Sequence, residues 1–95
     1  MKIIGLSITG PTPDQNKMNE LAVEEARNAW ELLKTEVVRE AYLRKDKPGV
    51  IIVLEASTVE AAETALSQLP FYHYGLIRFE LIPVGAFTNL ERLFS

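Results

Sequence analysis

The chain has 95 residues, which is enough for one domain and too few for two. Hydrophobic residues make up 47% of it and charged residues 24%, a composition typical of a globular chain rather than a disordered one. Thirteen acidic residues outnumber ten lysines and arginines, so the net charge is −3. Since the basic residues do not gather into a stripe, the pattern predicts no nucleic-acid partner.

The chain contains no cysteine, which removes disulfides, thiolate nucleophiles and most zinc sites from consideration. No stretch approaches the ~20 apolar residues of a membrane span. Residues 1–11, MKIIGLSITGP, lack the long apolar segment and the small-residue cleavage site of a signal peptide. We therefore expect a cytoplasmic domain with no membrane partner, no cofactor and no metal.

The first half of the chain predicts a strand, a helix and a second strand. Residues 2–9 alternate between apolar and other side chains, which is the period of a half-buried strand. Residues 12–15, TPDQ, form a capping box with Thr12 as the N-cap and proline at the first helical position, so a helix is expected to run to about Lys34. Residues 36–43, EVVREAYL, suit the second strand. The apolar stripe of the helix is predicted to hold Met18, Ala22, Ala26, Ala29, Trp30 and Leu33.

The second half repeats the pattern of strand, helix and strand. Residues 50–56, VIIVLEA, are nearly all apolar and rich in β-branched side chains, which predicts a central strand covered on both faces. Residues 57–60, STVE, form a second capping box for a shorter helix that Pro70 is expected to stop. Residues 76–84 are predicted to form the last strand, and a weaker capping signal at 88–91 predicts a terminal turn.

The predicted order is therefore β-α-β-β-α-β, the ferredoxin-like or split-βαβ arrangement, as a single domain over residues 1–95. We expect a four-stranded antiparallel sheet with two helices on one face, since connections between parallel strands are right-handed. Residues 50–54 offer no polar side to water, and an exposed apolar sheet of that size is unusual in a monomer. A second copy packed sheet against sheet, in a homodimer or a larger oligomer of dimers, is the economical way to cover it.

Several features together resemble a known superfamily. They are the element order, the Leu69-Pro70 that ends the second helix, the aromatic segment after it, and the closing strand that ends in LIPVGAF. This combination resembles the dimeric α+β barrel superfamily, and within it the muconolactone isomerase-like group and its uncharacterised small relatives. The tail, FTNLERLF, is more similar to those relatives than to the isomerase, whose interval between the LP and the terminal proline of the strand is shorter. No catalytic residue is therefore carried over to a position of this chain.

The resemblance implies a barrel between two sheets, with helices outside and oligomers built from such dimers. Members of the superfamily include isomerases, cofactor-independent monooxygenases, haem enzymes and proteins without known activity. The resemblance therefore indicates where a ligand would lie and leaves the reaction open.

The last predicted strand places Arg78 and Glu80 on one face. If Ile77, Phe79 and Leu81 face the helices, the two charged residues face the barrel interior, where Arg78 is a candidate to hold a substrate carboxylate by two parallel hydrogen bonds. Glu80, a candidate catalytic residue, would orient Arg78 or His73. The alternatives are an ion pair at an edge strand and simple exposure to solvent.

Two residues of the second strand, Glu40 and Tyr42, share a face and are further candidates for substrate binding. If that face looks into the barrel, they join Arg78 and Glu80 in one polar cluster. The alternative places Glu40 on the surface. Ser7 is a candidate to line the barrel, but GLSITG lacks the second glycine of a nucleophile elbow, so Ser7 is not predicted to be a nucleophile.

The only histidine, His73, lies among three aromatic residues between the second helix and the last strand. Because the pKa of histidine is near neutral pH, His73 is the natural proton carrier for an isomerase that needs no cofactor. The alternative is that His73 and its neighbours fill a subunit contact. Two hypotheses for the function follow. The first is a small-molecule-binding protein or isomerase-like enzyme that acts on a small organic acid or cyclic ketone, in a pocket between the sheet and the helices or in the barrel. The second is a non-catalytic assembly or regulatory module.

Overall fold

A computed structural model describes residues 1–94 of the chain. It is an α+β structure with one four-stranded antiparallel sheet, so the predicted class and the antiparallel sheet are confirmed. The elements are β1 (Lys2–Thr9), α1 (Gln15–Lys34), β2 (Val38–Leu43), β3 (Val50–Glu55), α2 (Val59–Leu66), α3 (Pro70–His73), β4 (Ile77–Val84) and a 3-10 helix (Thr88–Phe94).

The strands lie in the order β2-β3-β1-β4, and each neighbouring pair is antiparallel. Ile3 of β1 lies opposite Leu54 of β3 on one side and Pro83 of β4 on the other, and Val38 of β2 also lies opposite Leu54. Since side chains alternate along a strand, this register assigns every strand residue to one of two faces. We call them the helix face, which carries Ile3 and Leu54, and the open face.

The core lies between the helix face and the helices. Ile3, Leu54 and Leu66 are the largest fully buried side chains, and Ala62 of α2 is buried with them. Leu32 and Leu33 of α1 are partly buried against the same cluster. Both long helices therefore cover one face of the sheet, and burial of these aliphatic side chains is the main source of stability.

Two helix boundaries differ from those predicted. Helix α1 begins at Gln15, and its N-cap is Asp14, whose carboxylate accepts the N–H of Lys17 at 3.1 Å. The hydroxyl of Thr12, predicted to cap this helix, instead donates to the carbonyl oxygens of Tyr74 and Gly75. Pro70 does not simply stop α2: it occupies the first turn of α3, where its missing N–H costs nothing.

Trp30 was predicted to lie on the apolar stripe of α1, and this is wrong: its side chain is 59% exposed. The inner face of α1 is formed by six residues at helical spacing, and position 30 falls outside it. These six residues are Ala22, Glu25, Ala26, Ala29, Leu32 and Leu33.

A close backbone contact joins the loop before α1 to the loop before β4. Gly10 donates its N–H to the carbonyl of Leu76, and Thr12 donates to that of Gly75. A Cβ atom on Gly10 would lie 2.2 Å from the Gly75 oxygen, which is closer than any real contact. Gly75 also has a φ of 72°, in the left-handed region that favours glycine. These two glycines allow the two loops to approach each other closely.

Apolar side chains on the open face have no cover within the chain. Ile8 is 49% exposed, and Ile82 and Val84 are exposed on the same face, at the edge strand β4. The 3-10 helix buries none of its residues, and Phe94 is 87% exposed. The longest dimension of the molecule is 56 Å and its radius of gyration is 15.2 Å, against about 12 Å for a compact domain of this length.

Within residues 1–94, no helix is both long enough and apolar enough to cross a membrane.

Candidate functional site

A cavity of about 340 Å³ separates α1 from the helix face of the sheet. Its roof is the inner face of α1, where three of the six lining residues are alanines: Ala22, Ala26 and Ala29. Alanine side chains are too short to reach the sheet, and no residue of α1 is fully buried. The cavity therefore results from small residues at the positions where a close-packed helix would carry larger ones.

The floor and ends of the cavity are apolar. The sheet contributes six residues from β2, β3 and β4, and α2 with the segment after it contributes three more. The sheet residues are Val38, Ala41, Val50, Ile52, Ile77 and Phe79, and the other three are Leu66, Leu69 and Phe71. The volume lies at the lower end of the range for small-molecule sites, which are concave and mostly apolar with a few polar groups.

Glu25 is the only titratable residue among those that line the cavity. It is half-buried, and its Oε1 accepts the backbone N–H of Phe71 at 2.9 Å. Burial raises the pKa of the Glu25 carboxyl, and the hydrogen bond from Phe71 opposes part of that rise. No other described group donates a hydrogen bond to this carboxyl, so Oε2 remains available to a ligand.

The hydrogen bond from Phe71 also ties α1 to α3. Phe71 is the second residue of α3, so its N–H has no partner within that short helix. Glu25 therefore caps α3 from a distance of 46 residues along the chain, in addition to lining the cavity. Any functional test of Glu25 has to separate these two roles.

The open face carries four of the six residues predicted to form a site, and it carries them at opposite edges. Glu40 and Tyr42 lie on β2, opposite Val53 and Ile51 of β3, while Arg78 and Glu80 lie on β4, opposite Ile8 and Leu6 of β1. Strands β3 and β1 stand between the two pairs, which places them about 14 Å apart. Within one chain the predicted polar cluster does not form.

The two pairs on the open face differ in their interactions. The hydroxyl of Tyr42 donates a short hydrogen bond to Oε1 of Glu40, and this bond raises the pKa of Tyr42. In the described chain no salt bridge joins Arg78 to Glu80, although they share a face.

Tyr72 donates to Glu63 at 2.6 Å, which raises the pKa of Tyr72, and the charge of Arg78 opposes that rise.

His73 lies at the end of α3 and is exposed. Its ring meets that of Tyr74 edge to face, with centroids 5.0 Å apart, and Nζ of Lys17 lies 5.0 Å from the centre of the Tyr74 ring. His73 and Arg78 are not among the residues that line the cavity. A proton-transfer role for His73 therefore stays a prediction that only a pocket outside this cavity would support.

Ser7 lies on the helix face and is half-buried. Its Oγ accepts the N–H of Val50 at 2.8 Å, at the start of β3. Ser7 thus satisfies a backbone donor next to the turn at Gly49, and it does not line the cavity. Its predicted role in substrate binding also stays a prediction.

Sequence reasoning did not single out Glu25, although the sequence contains a signal for it. Glu25 lies three residues after Ala22, one before Ala26 and four before Ala29, so it shares their face of the helix. A carboxylate on an otherwise apolar stripe costs free energy unless it has a partner or a function. Its position in the run Glu24-Glu25 made it resemble the solvated charges around it.

No group of three or more histidine, aspartate or glutamate side chains is placed to hold a metal ion within residues 1–94. A second, shallow depression of the surface is lined by Arg27, Asn28, Trp30 and Glu31, all from α1. Because one helix alone supplies it, this depression has no opposite wall to hold a ligand. The cavity beneath α1 is therefore the better site.

Comparison with known proteins finds no family model that matches this chain and no curated protein that matches it significantly.

Proposed function

We propose that this chain is a small-molecule-binding protein whose ligand lies in the cavity between α1 and the sheet. The observation that carries the proposal is a cavity of about 340 Å³ lined by fourteen apolar residues and by Glu25. Small organic ligands are usually held in this way, by burial of apolar surface and orientation by a few polar groups. A small cyclic ketone or organic acid fits the volume, and an isomerase-like activity on such a molecule belongs to the same proposal.

The direct test is to fill the cavity. Ala26→Leu adds a larger side chain to the roof, while Ala61→Leu adds the same group to an exposed position of α2 and serves as the control. We expect tert-butylcyclohexane, a neutral ring compound, to shift the amide resonances of Ala22, Ala29 and Phe71 in the wild-type protein and the control. Ala26→Leu should abolish those shifts. Unchanged shifts in the wild-type protein would contradict the proposal.

We also propose the ferredoxin-like arrangement in a dimeric α+β barrel, with a second copy of this chain covering the open face. The chain order β-α-β-β-α-β and the strand order β2-β3-β1-β4 support the arrangement. The dimer is supported by a row of aliphatic side chains without cover on β1, β3 and β4. They are Ile4, Leu6, Ile8, Ile51, Val53, Ile82 and Val84.

The exposed C-terminal segment supports the same partner. Phe87, Leu90, Leu93 and Phe94 are exposed, and they follow β4, the edge strand that carries Ile82 and Val84 of the open face. A 3-10 helix of seven residues that buries nothing is not stable in water by itself. Packing against a second copy would bury it together with the open face. Sedimentation at micromolar concentration tests this, and a stable monomer would contradict the dimer.

A second candidate site depends on that dimer. Two sheets facing each other would bring Arg78 and Glu80 of one copy toward polar residues of the other, and Tyr42 and Glu40 would then face the barrel interior. In that arrangement Arg78 would hold a carboxylate, His73 would transfer a proton, and Glu80 would orient one of these two residues. Arg78→Lys tests it: a carboxylate ligand should lose its bidentate partner and bind more weakly, while binding of tert-butylcyclohexane stays unchanged. A cytoplasmic location stays a prediction from composition.

A further inference from the structure

We infer that the outer edge of β2 pairs with β2 of a second copy of this chain, antiparallel and centred on Ala41, so that two four-stranded sheets join into one sheet of eight strands. Pairing at this edge goes beyond the proposed function, since it involves neither a ligand in the cavity nor the open face. Two stacked sheets lie ~10 Å apart, so a dimer through the open face leaves the backbone groups of this edge available.

The backbone of β2 presents hydrogen-bonding groups on its outer side. Strand β2 lies at an edge, because β3 is its only neighbour in the sheet. The N–H of Arg44 donates to the carbonyl of Gly49 at 2.9 Å, toward β3. These groups alternate in direction along an antiparallel strand, so those of Tyr42 also point to β3, while those of Ala41 and Leu43 point outward. An unpaired edge of this kind is a template for another strand.

The other edge of the sheet, β4, is protected against such pairing. The N–H of Gly10 donates to the carbonyl of Leu76 at 3.1 Å, toward β1. By the same alternation, the backbone groups of Pro83 point away from β1. Proline has no N–H to donate, and at an outward position it blocks the addition of a strand. Strand β2 contains no proline, so its edge is the one open to a partner.

A two-fold axis at Ala41 satisfies both the backbone directions and the side-chain faces. It sets Ala41 opposite Ala41 of the second copy, and the outward N–H and carbonyl of each then bond to the other. Glu40 comes to lie opposite Tyr42 of the second copy, on the open face of both. Leu43 comes to lie opposite Arg39 of the second copy. No like charges therefore stand directly opposite each other in this contact.

The side chains of β2 are complementary to their own copies. Tyr42 donates to Glu40 within the chain, and across the axis the same donor meets the same acceptor. On the helix face Ala41 is small and exposed, and Leu43 is 82% exposed. Pairing would bury apolar surface that nothing in the single chain covers. Since Ala41 also lines the cavity beneath α1, the second strand would extend the floor of the cavity on its open side.

The contact is short, which sets its strength relative to the open face. A bulge between Val38 and Glu40 interrupts the strand at one end, and Leu43 ends it at the other. Small interfaces are weak, so we expect dimers through the open face at micromolar concentration and tetramers only at roughly a hundredfold higher concentration.

Single cysteines test the register, because the chain has none of its own. Ala41→Cys would place two Cα atoms about 5.5 Å apart across the axis, within the range of a disulfide. The matched control is Leu43→Cys, on the same face of the same strand, whose two copies would be about 14 Å apart. Under mild oxidation at high concentration, denaturing gels should show covalent dimers of Ala41→Cys forming at least about tenfold faster. Equal rates, or faster coupling of Leu43→Cys, would overturn the pairing.

The same cysteines in a Leu6→Glu background separate this contact from the dimer through the open face. Leu6 lies on the open face, so covalent coupling of Ala41→Cys should persist there. Its loss would mean that Ala41 meets its copy only through the open-face dimer, and the inferred edge pairing would be wrong. A wild-type chain that binds no ring compound and is monomeric at micromolar concentration would contradict the proposed function, whereas the coupling of Ala41→Cys would still decide the edge.

Ala41→Pro tests the backbone hydrogen bonds. It removes an N–H that points outward, so the ladder between β2 and β3 keeps its bonds and the fold should survive, as circular dichroism can show. We expect sedimentation at high concentration to show tetramers for the wild type and for the control Ala41→Ser, and none for Ala41→Pro. Tetramers of Ala41→Pro would contradict the pairing, and if this variant fails to fold, the rates of the two cysteine variants decide.

Discussion

On the helix face of the sheet, Ile52 and Leu54 of β3 are buried, whereas Ile51 and Val53, on the open face of the same strand, are only half-buried. All four are aliphatic, so alternation of polarity does not distinguish the two faces. The difference arises because α1 and α2 cover one face and nothing within the chain covers the other. The comparison teaches that strand sequence alone does not decide which face is solvated.

The helix face is also less well packed than its composition suggests. Helix α1 covers it with three alanines, one glutamate and two leucines, and the result is a cavity rather than a close-packed layer. The open face has the opposite character: its aliphatic row is continuous, and its polar residues lie on the edge strands β2 and β4, apart from Lys2 and Glu55 at one end of β1 and β3. The helix face therefore suits a small molecule, and the open face suits a flat apolar surface such as the open face of a second copy of this chain.

Truncation of matched residues on β3 gives the largest effect. Leu54→Ala should lower the free energy of unfolding by about 2–5 kcal/mol, because it leaves a void in the core. Val53→Ala should cost roughly 1 kcal/mol, because its side chain is half-buried in the single chain. Urea unfolding at several protein concentrations measures both. Equal costs at low concentration would break the contrast between the two faces.

A charge on the open face should abolish association. Leu6 lies in the middle of the aliphatic row, and Leu6→Glu would place a carboxylate between two sheets and directly opposite the carboxylate of Glu80 on β4. We expect the dissociation constant of the dimer to rise by at least about a hundredfold, measured by sedimentation. Trp30→Glu is the control, since Trp30 is exposed on α1. If Trp30→Glu rather than Leu6→Glu dissociates the dimer, the interface lies on the helices.

Much of the fold could be predicted from the sequence because short-range patterns determine it. The alternation in residues 2–9 and the apolar run from Val50 predict β1 and β3 nearly to the residue, and Pro48-Gly49 marks the turn before β3. Helix α1 begins two residues later than predicted, for a tertiary reason. Thr12 is a good N-cap by type, but its hydroxyl bonds to carbonyls more than sixty residues away.

The candidate site was harder to predict, since it depends on how far α1 stands from the sheet. Periodicity identifies Ala22, Ala26 and Ala29 as inward-facing. It does not tell whether a helix with alanines at these positions packs directly against the sheet or leaves a cavity. The predicted residues Arg78 and Tyr42 were correctly assigned to strands. Their separation by two further strands follows from the strand order, which a single sequence does not fix.

The carboxyl of Glu25 should make the stability of the folded chain depend on pH. Because burial raises the pKa of Glu25 in the folded chain, the protonated carboxyl favours folding. Its contribution is complete below the pKa of an unfolded glutamate and is lost as the pH rises through the folded pKa. We therefore expect the stability of the wild type relative to Glu25→Gln to fall with rising pH across this window, measured by urea unfolding at each pH.

Asp46 gives the control of opposite sign for that titration. Its hydrogen bonds from Arg44 lower the pKa of Asp46 to about 2, so its contribution exists above the pKa of an unfolded aspartate and is lost as the pH falls toward 2. Asp46 is fully exposed, so the effect should be slight. If the free energies of unfolding of the wild type and of Glu25→Gln change in parallel at all pH values, then burial does not raise the pKa of Glu25.

The smallest expected effect compares two tyrosine–glutamate hydrogen bonds, one on each side of the sheet. Tyr72→Phe removes the bond to Glu63 beside α2, at an expected cost of about 0.5 kcal/mol, because Glu63 remains hydrated. Tyr42→Phe removes the bond to Glu40 on the open face and should have no measurable effect in a monomer, since both side chains are exposed. Urea unfolding of the two single variants measures the difference.

The hydrogen bond between Tyr42 and Glu40 also tests the dimer when Tyr42→Phe is combined with Leu6→Glu. If a second copy covers the open face, Tyr42→Phe in the otherwise wild-type dimer leaves the carboxylate of Glu40 desolvated and without its donor, which is costly. In the Leu6→Glu background the face is solvated, so the cost should vanish. Tyr72→Phe should cost the same in both backgrounds. A Tyr42→Phe variant that is neutral in both would place Tyr42 outside the contact between the two sheets.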